Sequence, residues 1–361
     1  MSPIRVAVVD DSPFIRKVLA RMLEDESDLD LVGTAARGEE LLDHLQEWRA
    51  DLIVLDLAMP GIGGLATLDA IMAQRPTPVL ILSENLRGGA QLAVEALHRG
   101  ALEVVDKRGL SLVDFEALRK NLVGRIRQLA TGELHILPPE EPPAGSTAAP
   151  RRPGSSPAIV LLGASTGGPP AIERVLHDLG PQMHVPLVVA QHMPAGFTRA
   201  FAARLAAHLA LDVREAADGA ALEAGRVYVA PGGFHTGVER RRDRFFARLA
   251  VTTDRVQPSA DRLFTSAAEA AGQHAVAALL TGMGEDGARG MAALAQVGAY
   301  TIAQDEATSV VFGMPRAAIL AGAAREILPL SLIGGRLREL ALPEEETPCN
   351  PGKSSSSTIR S

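Results

Sequence analysis

The 361-residue sequence holds a single cysteine, Cys349, which excludes an intrachain disulfide and any zinc site built on cysteine. Cysteine scarcity of this kind suits a reducing compartment. Cations are not in excess either: 36 Lys and Arg face 43 Asp and Glu, a formal charge of −7. A chain with that balance has no surplus of positive charge to neutralise phosphates, so nucleic acid is not an expected partner. No run approaches the roughly 18 uncharged apolar residues of a membrane span, so insertion into a bilayer is not expected. The opening MSPIRVAVVDD carries two aspartates by position 11, which a signal-peptide hydrophobic region does not tolerate. The expectation is a soluble, cytoplasmic protein.

What is present suffices for two domains. Apolar residues make up 47% of the chain, and a length of this order accommodates two cores at roughly 150 residues each. Between Glu133 and Pro157 the sequence reads ELHILPPEEPPAGSTAAPRRPGSSP, rich in proline and poor in large apolar residues after Leu137. Such a segment buries too little surface to offset its ordering entropy, so 133–156 is expected to be a flexible linker. The end, PEEETPCNPGKSSSSTIRS from Pro343, is low in complexity and expected to be a disordered tail containing Cys349. Folded units are therefore expected at 1–132 and 157–342.

The first unit alternates short apolar runs with helical patterns. Runs at 4–9, 31–35, 52–55, 79–82 and 102–105 suit strands buried on both faces, and helices are expected at 14–23, 39–45, 65–72, 91–98 and 115–129. Five βα units of this length imply an open five-stranded parallel sheet, (βα)5, covered on both sides. Chemistry in such sheets lies at the carboxyl ends of the strands. Those ends carry Asp10 and Asp11, Asp56, Ser83, and Asp106–Lys107. Neighbouring carboxylates repel, which a divalent cation such as Mg²⁺ relieves, and a hydroxyl and an ammonium beside them would complete a phosphoryl-accepting site. Helix capping explains any one of these aspartates. It does not readily explain all five positions on one repeated pattern.

On the segments VVDDS (8–12), LDLAMPGIGG (55–64), LS (82–83) and Lys107, this unit resembles the receiver domain of two-component response regulators. The resemblance implies that Asp56 accepts a phosphoryl group from a chemotaxis histidine kinase. It further implies that Asp10, Asp11 and Asp56 hold Mg²⁺ with the Ala58 carbonyl, and that Ser83 and Lys107 contact the phosphoryl oxygens. Two positions depart from the usual pattern: Arg108 follows the lysine where proline is common, and Val104 stands where an aromatic is usual.

The second unit opens with a strand at 158–162 running into GASTGGPPAIERVL. Gly163–Gly167 fits G-x-S-x-G, a strand-to-helix turn that projects a serine, Ser165, above the sheet. A phosphate-binding loop would need Gly-Lys-Ser/Thr, and G-x-G-x-x-G fails at Ala164–Thr166. Plain glycine punctuation is the alternative. A serine nucleophile needs a base and an orienting acid. His192 ends the next strand (186–190), and Glu285 and Asp286 lie in TGMGEDG after a strand at 275–280. His235, in PGGFHTG, is the rival base. The order Ser…His…Asp differs from that of α/β-hydrolases.

Residues 157–335 resemble the catalytic domain of chemotaxis-type receptor methylesterases, the CheB family. The likeness rests on GASTGGP (163–169), QHMP (191–194), PSADRLF (258–264), TGMGEDG (281–287) and AQDEATSVVFGMP (303–315). It implies a doubly wound α/β fold with a mostly parallel sheet. In roles it implies Ser165 as nucleophile, His192 as general base, Asp286 as orienting acid, Thr166 supporting the histidine, and the Met283 N–H as oxyanion donor. The implied reaction is hydrolysis of glutamate methyl esters on methyl-accepting chemoreceptors, with deamidation of receptor glutamines by the same route. No cofactor is implied for hydrolysis. The resemblance also implies that the unphosphorylated receiver obstructs Ser165. The same chemistry in a non-chemotactic pathway, or a binding module with an inactive second domain, are the alternatives. The basic stretch Glu239–Arg248 reads as a solvated hairpin.

Overall fold

A computed structural model describes residues 2–84, 88–107, 115–131, 157–181, 183–252 and 257–341. The expected linker, the tail with Cys349, and Arg108 lie outside these residues. The first unit runs β1 (Ile4–Val9), α1 (Pro13–Glu24), β2 (Leu29–Ala35), α2 (Gly38–Trp48), β3 (Leu52–Asp56), α3 (Gly63–Gln74), β4 (Val79–Ser83), α4 (Gly89–His98), β5 (Glu103–Asp106) and α5 (Phe115–Thr131). Every residue of β3 and β4 is buried, because helices cover both faces of the sheet. Ser12 starts α1 by accepting from the Ile15 N–H, and Pro13 follows where no helical donor is lost. The strand order β2-β1-β3-β4-β5 is wholly parallel. Its direction reverses between β1 and β3, where Val9 pairs with Leu55. That reversal opens a crevice at the carboxyl ends of these two strands, and Asp10 and Asp56 stand on either side of it.

The second unit runs β6 (Ile159–Ala164), α6 (Gly168–Leu179), β7 (Leu187–Gln191), α7 (Phe197–His208), β8 (Asp212–Glu215), β9 (Ala221–Leu222), β10 (Arg226–Val229), β11 (His235–Arg241) and β12 (Arg244–Ala250). It continues with α8 (Ala260–Ala271), β13 (Ala275–Leu279), α9 (Ala288–Gln296), β14 (Tyr300–Gln304), α10 (Met314–Leu320), β15 (Glu326–Leu328) and α11 (Leu330–Ala341). Seven strands form one parallel sheet in the order β15-β14-β13-β6-β7-β10-β8. Alternate residues of β6 face opposite cores. Val160 and Leu162 join α6, α7 and α11 through Ile172, Phe201 and Leu337, while Ile159 and Leu161 join α8, α9 and α10 through Phe264, Met291 and Met314. A separate antiparallel sheet, β11-β12-β9, contains the expected hairpin. Its arginines 240–242 and 244 are exposed.

Candidate functional site

In the first unit, Asp10 and Asp56 are buried and Lys107 bridges them, its Nζ lying 2.7 Å from an oxygen of each. Their remaining oxygens accept backbone N–H groups, Asp10 from Ser12 (3.0 Å) and Asp56 from Ala58 (3.2 Å). Asp11 is exposed, and the three carboxylates offer oxygens within 4.8 Å of one another. Burial pushes the Asp10 carboxyl above its ordinary range, the Asp56 charge pushes the same way, and Lys107 only partly opposes them. Lys107 is held protonated above its usual value by its two carboxylates, although burial works against it. One ammonium leaves three carboxylates under-compensated, and this donor set of hard oxygens suits a divalent cation of the Mg²⁺ type. Ser83 is buried at the end of β4, and its hydroxyl points to the Gly89 carbonyl in the first turn of α4 (3.2 Å). A cavity of about 690 Å³ opens here, lined by Asp11, Phe14, Asp56, Ser83, Leu92 and Lys107.

In the second unit, the turn after β6 carries Ser165. It is 8% exposed, so the turn that carries it is largely covered by neighbouring loops. The Ser165 N–H donates to the Thr281 carbonyl at 3.1 Å. A Cβ on Gly282 would come within 2.9 Å of the Ser165 Cβ, so only glycine lets this loop lie on the serine. Gly167 closes the turn at φ +74°, against Val310.

His192 follows β7, and its Nε2 lies 2.8 Å from Asp286 Oδ2. The strand order explains which nitrogen is used. Asp286 follows β13 and Ser165 follows β6, the strand between β13 and β7, so the imidazole must reach across the serine strand with its distal nitrogen. Nδ1 remains without a hydrogen-bond partner among the described residues, and none joins Ser165 Oγ to His192. Such bonds often form only once substrate is bound. The rival His235 starts β11 in the other sheet.

Asp286 is saturated with donors. Oδ2 accepts the Ala260 N–H (2.6 Å) besides His192, and Oδ1 accepts the Ser259 hydroxyl (2.7 Å) and the Asp261 N–H (3.2 Å). Burial pushes its carboxyl up, but His192, Ser259 and Ala260 outweigh this and hold it at about 2. Glu285 is exposed. The Met283 N–H donates to no acceptor among the described residues, which leaves it available to a ligand. Thr166 lies beside Ser165, yet its buried Oγ1 has no partner among the described residues and makes no bond to His192.

Three side chains that hold this arrangement escaped sequence reasoning. Gln191, buried, donates from Nε2 to the carbonyls of Ser165 (2.9 Å) and His192 (3.1 Å), tying the two turns together. Gln304 Oε1 accepts the Thr281 N–H at 2.7 Å. Thr281 in turn donates its hydroxyl to the Thr166 carbonyl at 3.0 Å. Each lies in a segment singled out by its pattern, but the partners are far away in sequence.

The two units touch near this site. Helix α4 packs on α6 and α7. His98 meets Glu173 at 2.5 Å, Arg204 pairs with Glu95, and the His98 ring lies 6.3 Å from that of Phe201. Met283 and Val310 pack against the first unit's buried cluster that includes Val18, Leu122 and Ile126.

Comparison with known proteins follows the same division. Residues 160–337 match the family model described as CheB methylesterase, and residues 6–119 match the response regulator receiver domain. A Pseudomonas aeruginosa protein named protein-glutamate methylesterase/protein-glutamine glutaminase 2 is 41% identical over 343 residues, covering 94% of this chain and 97% of the relative. A protein-glutamate methylesterase/protein-glutamine glutaminase of Symbiobacterium thermophilum is 39% identical, with 92% and 95% covered. Among solved structures, the Thermotoga maritima CheB methylesterase catalytic domain aligns with a TM-score of 0.50 at 40% identity, covering 52% of this chain and all of that one.

Proposed function

The chain belongs to the CheB methylesterase family, and from that premise we propose that it hydrolyses glutamate methyl esters on chemoreceptors, deamidates receptor glutamines, and is controlled by phosphorylation of Asp56. The observation that carries this reading is the His192–Asp286 contact spanning the turn that bears Ser165. Ser165 Oγ attacks the ester carbonyl while His192 Nδ1 takes the hydroxyl proton. Asp286 holds the opposite nitrogen in its N–H form and stabilises the imidazolium. The oxyanion is met by the Met283 N–H. Nδ1–H then protonates the departing methoxide, methanol leaves, and a glutamyl ester of Ser165 remains. Water enters by the same route and releases glutamate and free Ser165. A glutamine amide follows the same sequence with ammonia leaving.

In the receiver, Asp10, Asp11 and Asp56 would hold Mg²⁺ with the Ala58 carbonyl. The ion would supply charge neutralisation for phosphoryl transfer from a histidine kinase. Lys107 and Ser83 would meet the phosphoryl oxygens, a reading supported by the Lys107–Asp56 contact and by the cavity both residues line. The contact of α4 with α6 and α7, and of Met283 with the receiver cluster, supports a closed state in which the receiver restricts access to Ser165. A linker of this length keeps the receiver at an effective concentration of roughly millimolar, so a weak interface suffices to populate that state. Phosphorylation adds charge that Lys107 and Ser83 meet only by moving, shifting the population toward the open form. No helix of the described residues is long and apolar enough to cross a membrane. Methanol release from methylated receptor membranes, with and without acetyl phosphate, tests the reading. Release that is absent, or unchanged by replacing Ser165, would overturn it.

A further inference from the structure

The donors around Asp286 come from one place, the start of α8, and one of them is a side chain. Ser259 occupies the N-cap with extended backbone (φ −100°, ψ 131°), and its Oγ accepts the Arg262 N–H at 3.3 Å. A hydroxyl has one proton, and the Arg262 N–H is itself a donor. The Ser259 proton is therefore directed to Asp286 Oδ1, 2.7 Å away. Ser259 is buried, so water does not compete for that bond. The helix start is anchored as well: Asp261 accepts the Gly290 N–H of α9 at 2.8 Å and the Arg289 Nε–H at 2.9 Å.

We infer that Ser259 is a positioning residue for the hydrolysis: its hydroxyl fixes the Asp286 carboxylate in the orientation that serves His192. This rests on the esterase reading above. Ser259 touches neither substrate nor reacting atoms. It joins the cap of α8 to the acid, so that the helix terminus, with its N–H groups and positive dipole end, acts as a cradle for Asp286. The backbone donors divide between the two oxygens, Ala260 to Oδ2 (2.6 Å) and Asp261 to Oδ1 (3.2 Å), and the Ser259 hydroxyl adds the shorter of the two bonds that orient Oδ1.

The experiment uses the full-length protein, with methylated receptor membranes and acetyl phosphate, and follows kcat and KM for methanol release. It also follows the rate at which a fluorophosphonate labels Ser165, and the melting temperature. Ser259→Ala should lower kcat roughly tenfold to a hundredfold, the range set by one lost hydrogen bond to a charged group, with KM within about twofold and labelling slowed in parallel. Ser259→Thr, which can both cap and donate, should recover kcat to within a few-fold. Ser259→Asp keeps an N-cap acceptor for Arg262 but sets a carboxylate against Asp286. It should lose at least as much kcat as the alanine variant, with a lower melting temperature because the two carboxylates repel, and assayed below that temperature it decides the matter if Ser259→Ala fails to fold. A folded Ser259→Asp protein with unchanged kcat and labelling, or losses confined to KM, would overturn the inference. If Ser165→Ala and Asp286→Asn abolish release in the same assay, that failure belongs to Ser259 alone. If they do not, the esterase reading itself has failed.

Discussion

The two domains place carboxylates at the same location, the carboxyl ends of parallel strands beside a reversal in strand order, and treat them in opposite ways. Asp10 of the receiver is buried beside Asp56 with only Lys107 to share, and its carboxyl rises above the ordinary range. Asp286 of the esterase is partly buried, its side chain 17% exposed, and four donors surround it, so that its carboxyl falls to about 2. Burial raises both, so the difference lies in the donors supplied. The receiver site is short of positive charge and gains by taking up a cation. The esterase site is already complete and keeps its acid ionised across the physiological range. An acceptor that must be loaded and a constellation that must be permanently ready call for these two designs.

The most severe way to break the comparison is to remove the permanently ready site. Ser165→Ala should lower hydrolysis by on the order of 10⁶-fold, and adding His192→Ala should cost little more, because the residues act as a unit. Single-turnover and steady-state methanol release check both. A double variant much worse than Ser165→Ala would mean that the two do not share a step.

Next in size, Asp286→Asn should retain the loop yet favour the wrong tautomer of His192, lowering kcat by about 10⁴-fold. Glu285→Gln, at an exposed position, should stay within about tenfold, since a solvated charge contributes little. A reversed ranking in the same assay would transfer the orienting role to Glu285.

At the receiver the effects should be regulatory and smaller. Deleting residues 1–156 should raise basal hydrolysis several-fold, and Asp56→Asn should abolish the response to acetyl phosphate while leaving basal activity in place. Equal rates in full-length and truncated proteins, insensitive to acetyl phosphate, would eliminate the closed state.

The smallest effect concerns acid stability. Asp286 is depressed from 3.8 to about 2, so its contribution is present above the unfolded value and lost as pH falls through the folded one. That contribution is about 2 kcal/mol, and it should disappear between pH about 4 and about 2. Denaturant titrations at several pH values should show Asp286→Asn with a shallower decline in this window than the parent protein.

Much of this was legible in the sequence. The repeated βα beat in 1–132 needs only local periodicity, and β3, β4 and β5 each run one residue past their apolar runs because Asp56, Ser83 and Asp106 still pair with a neighbouring strand. β2 begins at Leu29, two residues before its apolar run, because Ile4 of β1 pairs with Leu29. Ser165, His192 and Asp286 were singled out by their motifs; the structure joins His192 to Asp286 and sets Ser165 on the strand between theirs. Ser259 and Gln191 were not found as supports, because their value lies in partners 27 and 26 residues distant. A side-chain pattern cannot encode a partner that only tertiary packing supplies. The seclusion of Ser165 was missed for a similar reason: Gly282, 117 positions on, lies over it. β9 was missed because two residues, Ala221 and Leu222, carry no periodicity.

The Ser83 hydroxyl has one proton and two claimants. In this structure it is directed to carbonyls of the receiver itself, Gly89 at 3.2 Å and Glu84 at 3.4 Å; on an acylphosphate it would turn to a phosphoryl oxygen. Under the proposed gating, phosphorylation and the domain contact are coupled equilibria, and such coupling is reciprocal. If phosphorylation loosens the domain contact, the contact must by the same factor disfavour the phosphorylated state. A receiver relieved of its esterase should therefore sit further toward the acylphosphate at a given phosphodonor concentration than the same receiver in the whole chain. On that reading the enzyme domain would be more than the recipient of the signal: it would set how much signal its own receiver can hold.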